Sequence, residues 1–492
     1  MRNSRTSNYR FVHILLFSLV VLLIHLFFNA TLPYDLYADE AQYWAWSKNP
    51  AWGYFSKPPM VAWVIAATTD LCGDGQFCIK LGSPILHFLT GLMVYFIGCK
   101  LFNSRVGFWS SIAYSTLPGI TVSSYLISTD PALLFFWSVA LYAFISALKG
   151  WHIKWWILLG ISVGLGMLSK YTMILFFVSA GIYFLASKEN RVYLVSFKFW
   201  LSVLVAAAVY WNNFVWNSEN GFVSYMHTKD NANLGETFSL HPDKLFEFIG
   251  AQFGVFGPVF FSALLIFCTV MLPILCKRDT YKLLFSFTIP FLLVILGVSL
   301  LSRAHANWAA PIYIPGIIIV VSVLINNQSF LIKSSVVLHI LAAIFFYHFH
   351  DFANLFGAEL HATQDPFRRI VGTKEFAEKV KQEYTAQEDM TLLTTDRKTH
   401  AILLYYLRDE NGNPPKIMRW NEDKNIDDHF ELTSDMNKNL GENFLLVTNF
   451  GNIDFIADNF MFSQKASLIT IPVYPDYNIE YDTYYLKGFM GY

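Results

Sequence analysis

Apolar runs long enough to cross a bilayer recur through the first 350 residues of this 492-residue chain. The runs are about 20 residues long, the length of a membrane-spanning helix, and mark a polytopic membrane protein. Charged residues make up 14% of the chain, against about a quarter in soluble domains. Spans are expected at 11–30, 83–102, 106–125, 131–148, 154–168, 172–187, 196–216, 248–275, 281–301, 308–325 and 330–349. The short pair 154–168 and 172–187 can also be read as one broken helix.

Arg2, Arg5 and Arg10 precede the first run, and no small-residue cleavage site follows it. It therefore reads as a retained span with a cytoplasmic N-terminus rather than a signal peptide. About eleven spans, an odd number, put the C-terminus outside. Lys100, Arg105, Lys149, Lys154, Lys188, Arg191, Lys277 and Arg278 then fall in short cytoplasmic loops. The expected domains are 1–350, a transmembrane body with a long first external loop at 31–82, and 351–492, a small extracytoplasmic α/β domain. In that tail Asp365-Pro366 reads as an N-cap and first helical position. "MTLLTT", "PKIMRW", "NFLLVTNF" and "SLITIPVY" read as strands, with a helix near 396–407. The net charge of −1 provides no field for a nucleic acid. Cys72 and Cys78 share the first external loop, where a disulfide is compatible with the spacing but not demanded by it.

Polar residues collect on the external side. The first loop sets Asp39 and Glu40 among Tyr43, Trp44, Trp46, Trp52 and Trp63, with Lys57 before two prolines. Later external segments add Asp130, Lys170 with Tyr171, and Arg303, His305 and Asn307. Each has a plainer reading. Tryptophans form interfacial belts, Asp130-Pro131 starts a helix, and cations at a membrane border snorkel to headgroups. "GISVG" at 160–164 is a small-residue packing face. Taken together the features ask for more. Carboxylates beside aromatic rings suit a sugar, and Lys57, Lys170 and Arg303 on the same face suit a phosphate.

Several stretches carry a resemblance: "ADEAQYWAW", "GYFSKPPMVAW", "STDPALLFFW", "GLGMLSKYT", "WN" then "NGF" around 216–222, "SRAHANWAAPIY" and "DPFRRIVGTKEFAEKV". In this order and placement the chain resembles GT-C-fold glycosyltransferases of the protein mannosyltransferase and lipid A aminoarabinose transferase superfamily, the bacterial family-39 type. The resemblance implies a polytopic helical membrane enzyme that moves a sugar, with inversion, from a polyprenyl phosphate (undecaprenyl phosphate in bacteria) to an external acceptor. Lipid A or another lipopolysaccharide glycan is the expected acceptor, and the inner membrane the expected location. It implies that Asp39 or Glu40 is the general base, with Asp39 preferred and Glu40 binding or orienting. Asp130 matches a second acidic position. Lys57, Tyr43, Lys170, Tyr171, Arg303, His305 and Asn307 become candidate substrate-binding residues. The chain departs from the pattern at Ser56, where relatives commonly carry Asp or Glu. Some relatives of the fold use a divalent ion, but no clear metal-ligand set stands out, and no cofactor is expected.

The chemistry agrees. An acceptor hydroxyl needs a carboxylate to take its proton. The phosphate leaving group needs positive charge, and adjacent like charges should raise one carboxylate's pKa. A protein O-mannosyltransferase is the alternative within the class. A transporter is the alternative outside it, but would show ionisable residues within its spans.

Overall fold

A computed structural model describes residues 10–150, 152–231, 239–387, 389–434 and 436–492. Arg2 and Arg5, and the segment 232–238 of the fourth external loop, lie outside the described residues. Among the described residues seven helices are long and apolar enough to cross a membrane: Phe11–Thr31, Gln76–Leu101, Asp130–Gly150, Phe197–Glu219, Asp279–Leu301, Ala306–Leu324 and Ser329–Tyr347. Shorter apolar helices run over Met60–Cys72, Ile153–Met167, Tyr171–Ala186 and Pro258–Thr269. The chain is a multi-span membrane protein.

The expected spans 106–125 and 248–275 are both interrupted. The 106–125 run breaks at Leu117, between Ser104–Thr116 and Pro118–Tyr125. Pro118 has no N–H to continue the ladder and forces Leu117 out of the helical region, to ψ 136. The 248–275 run is Pro242–Val255 and Pro258–Thr269. Between them Gly257 has φ 85, and a Cβ there would lie 2.1 Å from His339 Nε2. Only glycine satisfies both conditions. Hydropathy averaged over a window is blind to such breaks, because the residues on either side remain apolar.

The chain folds into two compact units. The first holds the N-terminal helix through Thr31, Lys57–Val61 and Lys80–Phe349; the second holds Leu32–Ser56, Ala62–Ile79 and His350–Tyr492. The core of the first is aromatic: Trp137 and Phe144 both meet Phe176 edge to face, at 5.2 and 6.2 Å. Small residues let its helices approach. A Cβ at Gly160 would lie 2.5 Å from the Ser202 carbonyl, and one at Gly164 2.6 Å from Val209 Cβ. The "GISVG" face therefore packs Ile153–Met167 against Phe197–Glu219.

In the second unit five strands form one sheet: β1 Met390–Thr394, β2 Ile417–Arg419, β3 Asn443–Thr448, β4 Phe460–Tyr474 and β5 Tyr477–Phe489. Their order is β2-β1-β3-β5-β4. β1 runs parallel to both β2 and β3, and β5 antiparallel to β3 and β4. The helix Arg397–Tyr406 makes the crossover after β1. The sequence pattern missed β5 and the first half of β4: the start of β4 is mostly exposed, and β5 lacks a run of consecutive buried apolar residues. Asp365 also departs from expectation. It accepts from Phe367 N at 2.7 Å but starts only the three-residue turn Arg368–Ile370; the helix begins at Thr373, after Gly372 with φ 84. The Asp365 carboxylate instead takes His350 Nε2 and Tyr474 OH, both at 2.6 Å.

First-loop residues are fastened to tail residues within this unit. Asp35 N donates to the Ile370 carbonyl at 2.8 Å, and Lys374 N to Asp35 Oδ2 at 3.1 Å. Tyr406 OH accepts from Leu36 N, and Tyr405 OH donates to the Asp74 carbonyl. Cys72 and Cys78 are disulfide-bonded.

Replacing Gly164 by leucine should cost about 1–3 kcal/mol through overpacking, read as a lower midpoint of thermal unfolding in detergent. Gly181, with open space where a Cβ would stand, is the control that should tolerate alanine.

Candidate active site

The second unit holds the acidic pair. Asp39 and Glu40 are the second and third residues of the helix Ala38–Lys48, and adjacent helical positions do not face each other. Glu40 is buried and folds back on its own helix start, where Oε2 accepts from Tyr37 N at 3.0 Å. Asp39 points elsewhere: its Oδ1 accepts from Arg397 Nη1 at 2.8 Å. The same Nη1 donates to Gln42 Oε1, one turn along. Among the described residues Asp39 Oδ2 has no partner, and the Asp39 and Arg397 side chains are each 35% exposed. Burial opposes the guanidinium charge, yet Asp39 beside it more than offsets this and holds the Arg397 pKa above its ordinary value. The two carboxylates thus engage different partners.

Most of the expected aromatic wall is core. Trp44 and Trp46 are buried. Trp44 Nε1 donates to Asp74 Oδ1 at 2.7 Å, while Trp46 stacks on Tyr54 at 4.4 Å with His429 edge-on. Tyr43 is buried too, its ring 5.2 Å from that of Trp46. Trp52 is edge-on to Trp63 and 45% exposed, so part of its ring still faces outward.

The first unit gathers a second cluster. Asp130 opens the helix Asp130–Gly150 and is buried. Lys170 Nζ reaches its Oδ1 at 2.7 Å, and Asn307 Nδ2 donates to its Oδ2. Lys170 follows the end of Ile153–Met167, and Asn307 lies in the 3-10 turn Ala306–Ile312, so two helix breaks and a helix start supply the three side chains. Tyr171 is half-buried beside Asn217, whose Nδ2 is 3.5 Å from its hydroxyl. Arg303 is 63% exposed and pairs loosely with Glu247 at 3.8 Å. His305 sits edge-on to Trp308 at 5.6 Å. Lys57 is half-buried, next to the buried Pro58 and Pro59.

Lys170, Asn307 and Asp130 are thus brought together, whereas Arg303 has only the loose pairing with Glu247. Among the described residues no group of three or more His, Cys, Asp or Glu is placed to hold a metal ion. Sequence reasoning overlooks Arg397, although a local signal exists. It follows the cap Asp396, whose carboxylate accepts from Lys398 N and Thr399 N. A cation there meets the positive end of the helix dipole.

Asp130→Ala would strand Lys170, whose side chain is 17% exposed. Breaking a buried pair from one side costs about 3–5 kcal/mol. Thermal unfolding of the purified protein should show that loss, and Asp130→Ala combined with Lys170→Met should recover part of it.

Comparison with known proteins gives concordant matches. A family profile described as dolichyl-phosphate-mannose-protein mannosyltransferase matches residues 56–216. The lipid A galacturonosyltransferase RgtD of Rhizobium johnstonii is 31% identical over 385 residues, covering 78% of this chain and 79% of its own. An undecaprenyl phosphate-alpha-4-amino-4-deoxy-L-arabinose arabinosyl transferase of Sodalis glossinidius is 30% identical over 123 residues, 24% of this chain and 22% of its own. Crystal structures of ArnT from Cupriavidus metallidurans, apo and bound to undecaprenyl phosphate, superpose with TM-scores of 0.62 and 0.63. Each covers 96% of this chain and 97% of its own, at 13% and 14% identity, a likeness of fold.

Proposed function

Because this chain belongs to the GT-C-fold glycosyltransferases of the protein mannosyltransferase and lipid A aminoarabinose transferase superfamily, we propose that it moves a sugar from a polyprenyl phosphate to lipid A or another lipopolysaccharide glycan. The observation that carries this reading is the identity with a lipid A galacturonosyltransferase over about four-fifths of both chains.

Asp39 is the base. As the acceptor oxygen bonds to the anomeric carbon, its proton passes to Oδ2, the oxygen without a partner among the described residues. The bond from that carbon to the phosphate oxygen breaks on the opposite face, giving inversion. The leaving phosphate is anionic and needs no general acid, only positive charge as the bond breaks. Lys170, Lys57 and Arg303 are assigned to it. Lys170 spends one of its three donors on Asp130 and keeps two; Arg303 is open and weakly held. Glu40, buried against Tyr37 N, maintains the helix start that carries Asp39. Asp130 holds Lys170, and Tyr43, Tyr171, His305 and Asn307 support the substrate-binding segments. The enzyme resides in the bacterial inner membrane, with its N-terminus cytoplasmic and residues 351–492 periplasmic, as the loop charges support.

Transfer to protein serine or threonine is the second reading, favoured by the family profile over residues 56–216. Mass spectrometry of envelope glycolipids from cells with and without the protein should show one sugar increment that depends on it. An unchanged glycolipid profile together with a lost protein glycan would select the second reading.

In membranes supplied with donor lipid, Asp39→Asn should lose about 10²–10⁴-fold in turnover, the usual worth of a general base, while inserting normally. Arg303→Ala should lower turnover severalfold with its fold intact; unchanged turnover would remove it from the donor phosphate.

A further inference from the structure

We infer that Arg397 is a positioning residue for the transfer step: its guanidinium, shared between Asp39 and Gln42, orients the base toward the acceptor hydroxyl. The inference rests on the reading of Asp39 as that base.

Local physical chemistry gives no other reason for an arginine here. A first-turn cation opposes the helix dipole, so this position should favour an acid or a neutral residue. Arg397 stands there and spends Nη1 on two acceptors of another helix, Asp39 Oδ1 at 2.8 Å and Gln42 Oε1. Asp39 and Gln42 are three positions apart and share one face of their helix. One nitrogen bonded to both holds Oδ1 in place against the Gln42 amide. The bond engages one carboxylate oxygen and leaves the other open. Asp39 is at a helix start, where it could have turned back to cap backbone N–H groups as Glu40 does. Arg397 instead draws it away from its own helix. Nη2 and Nε of Arg397 have no partner among the described residues. A substrate-binding role for them predicts a different kinetic signature from a positioning role.

The test uses the full-length enzyme in donor-supplied membranes, with kcat and acceptor KM measured separately. Arg397→Gln should lower kcat by about 100-fold, the scale of a misplaced catalytic group, with KM within about twofold of wild type. Added guanidinium ion at millimolar level should restore part of the turnover of Arg397→Ala. In the Asp39→Asn background, Arg397→Gln should have no further effect, since a positioning residue has nothing left to position. Wild-type kcat in Arg397→Gln, or a change confined to KM, would overturn the inference. If Arg397→Gln is not recovered folded, Arg397→Lys carries the test: it keeps the charge but its ammonium ends a bond short of the Nη1 position, and wild-type kcat in it overturns the inference. Should Asp39→Asn itself remain active, the assignment of the base has failed, and this inference with it. An inactive Asp39→Asn beside a fully active Arg397→Gln removes the inference alone.

Discussion

Backbone hydrogen bonding without water governs the first unit, and its departures from helix show how. The chain leaves regular helix after Met167, at Gly257 and across 302–312, and at the first and last of these freed groups find partners inside the protein. Lys170 N bonds the Gly166 carbonyl at 2.9 Å, and Met60 N bonds the Leu168 carbonyl at 2.9 Å. Gln252 Nε2 supports the Ala306 carbonyl at 3.0 Å. Irregular backbone at membrane depth is tolerated where it is buried in protein or lines a cavity. These breaks are also where the polar side chains stand. Lys170 and Asn307 come from two of them, and Asp130 from a helix start.

The two charged clusters have different physical characters. Asp130 is closed: both of its oxygens are bonded and its charge is compensated by Lys170. Asp39 is half open, with one oxygen tethered, the other without a partner among the described residues, and a side chain about one-third exposed. A closed carboxylate suits a scaffold that holds a cation in place. A half-open one suits proton transfer, which needs a lone pair the fold has not already spent.

How much of this was legible depended on the range over which each feature is encoded. The spans were readable because hydropathy is local, yet the kinks at Pro118 and Gly257 were averaged away in windows of unbroken apolar residues. Asp130, Lys170 and Asn307 could be named because each belongs to a recognisable segment, but their meeting joins positions 177 apart in sequence. Arg397 and Asp39 are 358 apart, and nothing in either neighbourhood names the other. The tryptophans misled in the opposite direction. Their crowding reads as a ligand wall, whereas Trp44 and Trp46 are spent on the core, because burying large rings stabilises a small α/β layer more than displaying them would.

The network of Tyr34, His350, Asp365 and Tyr474 has a consequence for biosynthesis. Tyr34 meets His350, His350 meets Asp365, and Asp365 meets Tyr474. A residue made before most of the spans thus joins a hydrogen-bonded network whose other members are made after them. While the intervening helices are being threaded into the bilayer, the segment around Tyr34 waits without its partners. The ribosome must pass Tyr474 before this network can close, so a chain that stalls between the last span and that point would carry its helices beside an incomplete second unit.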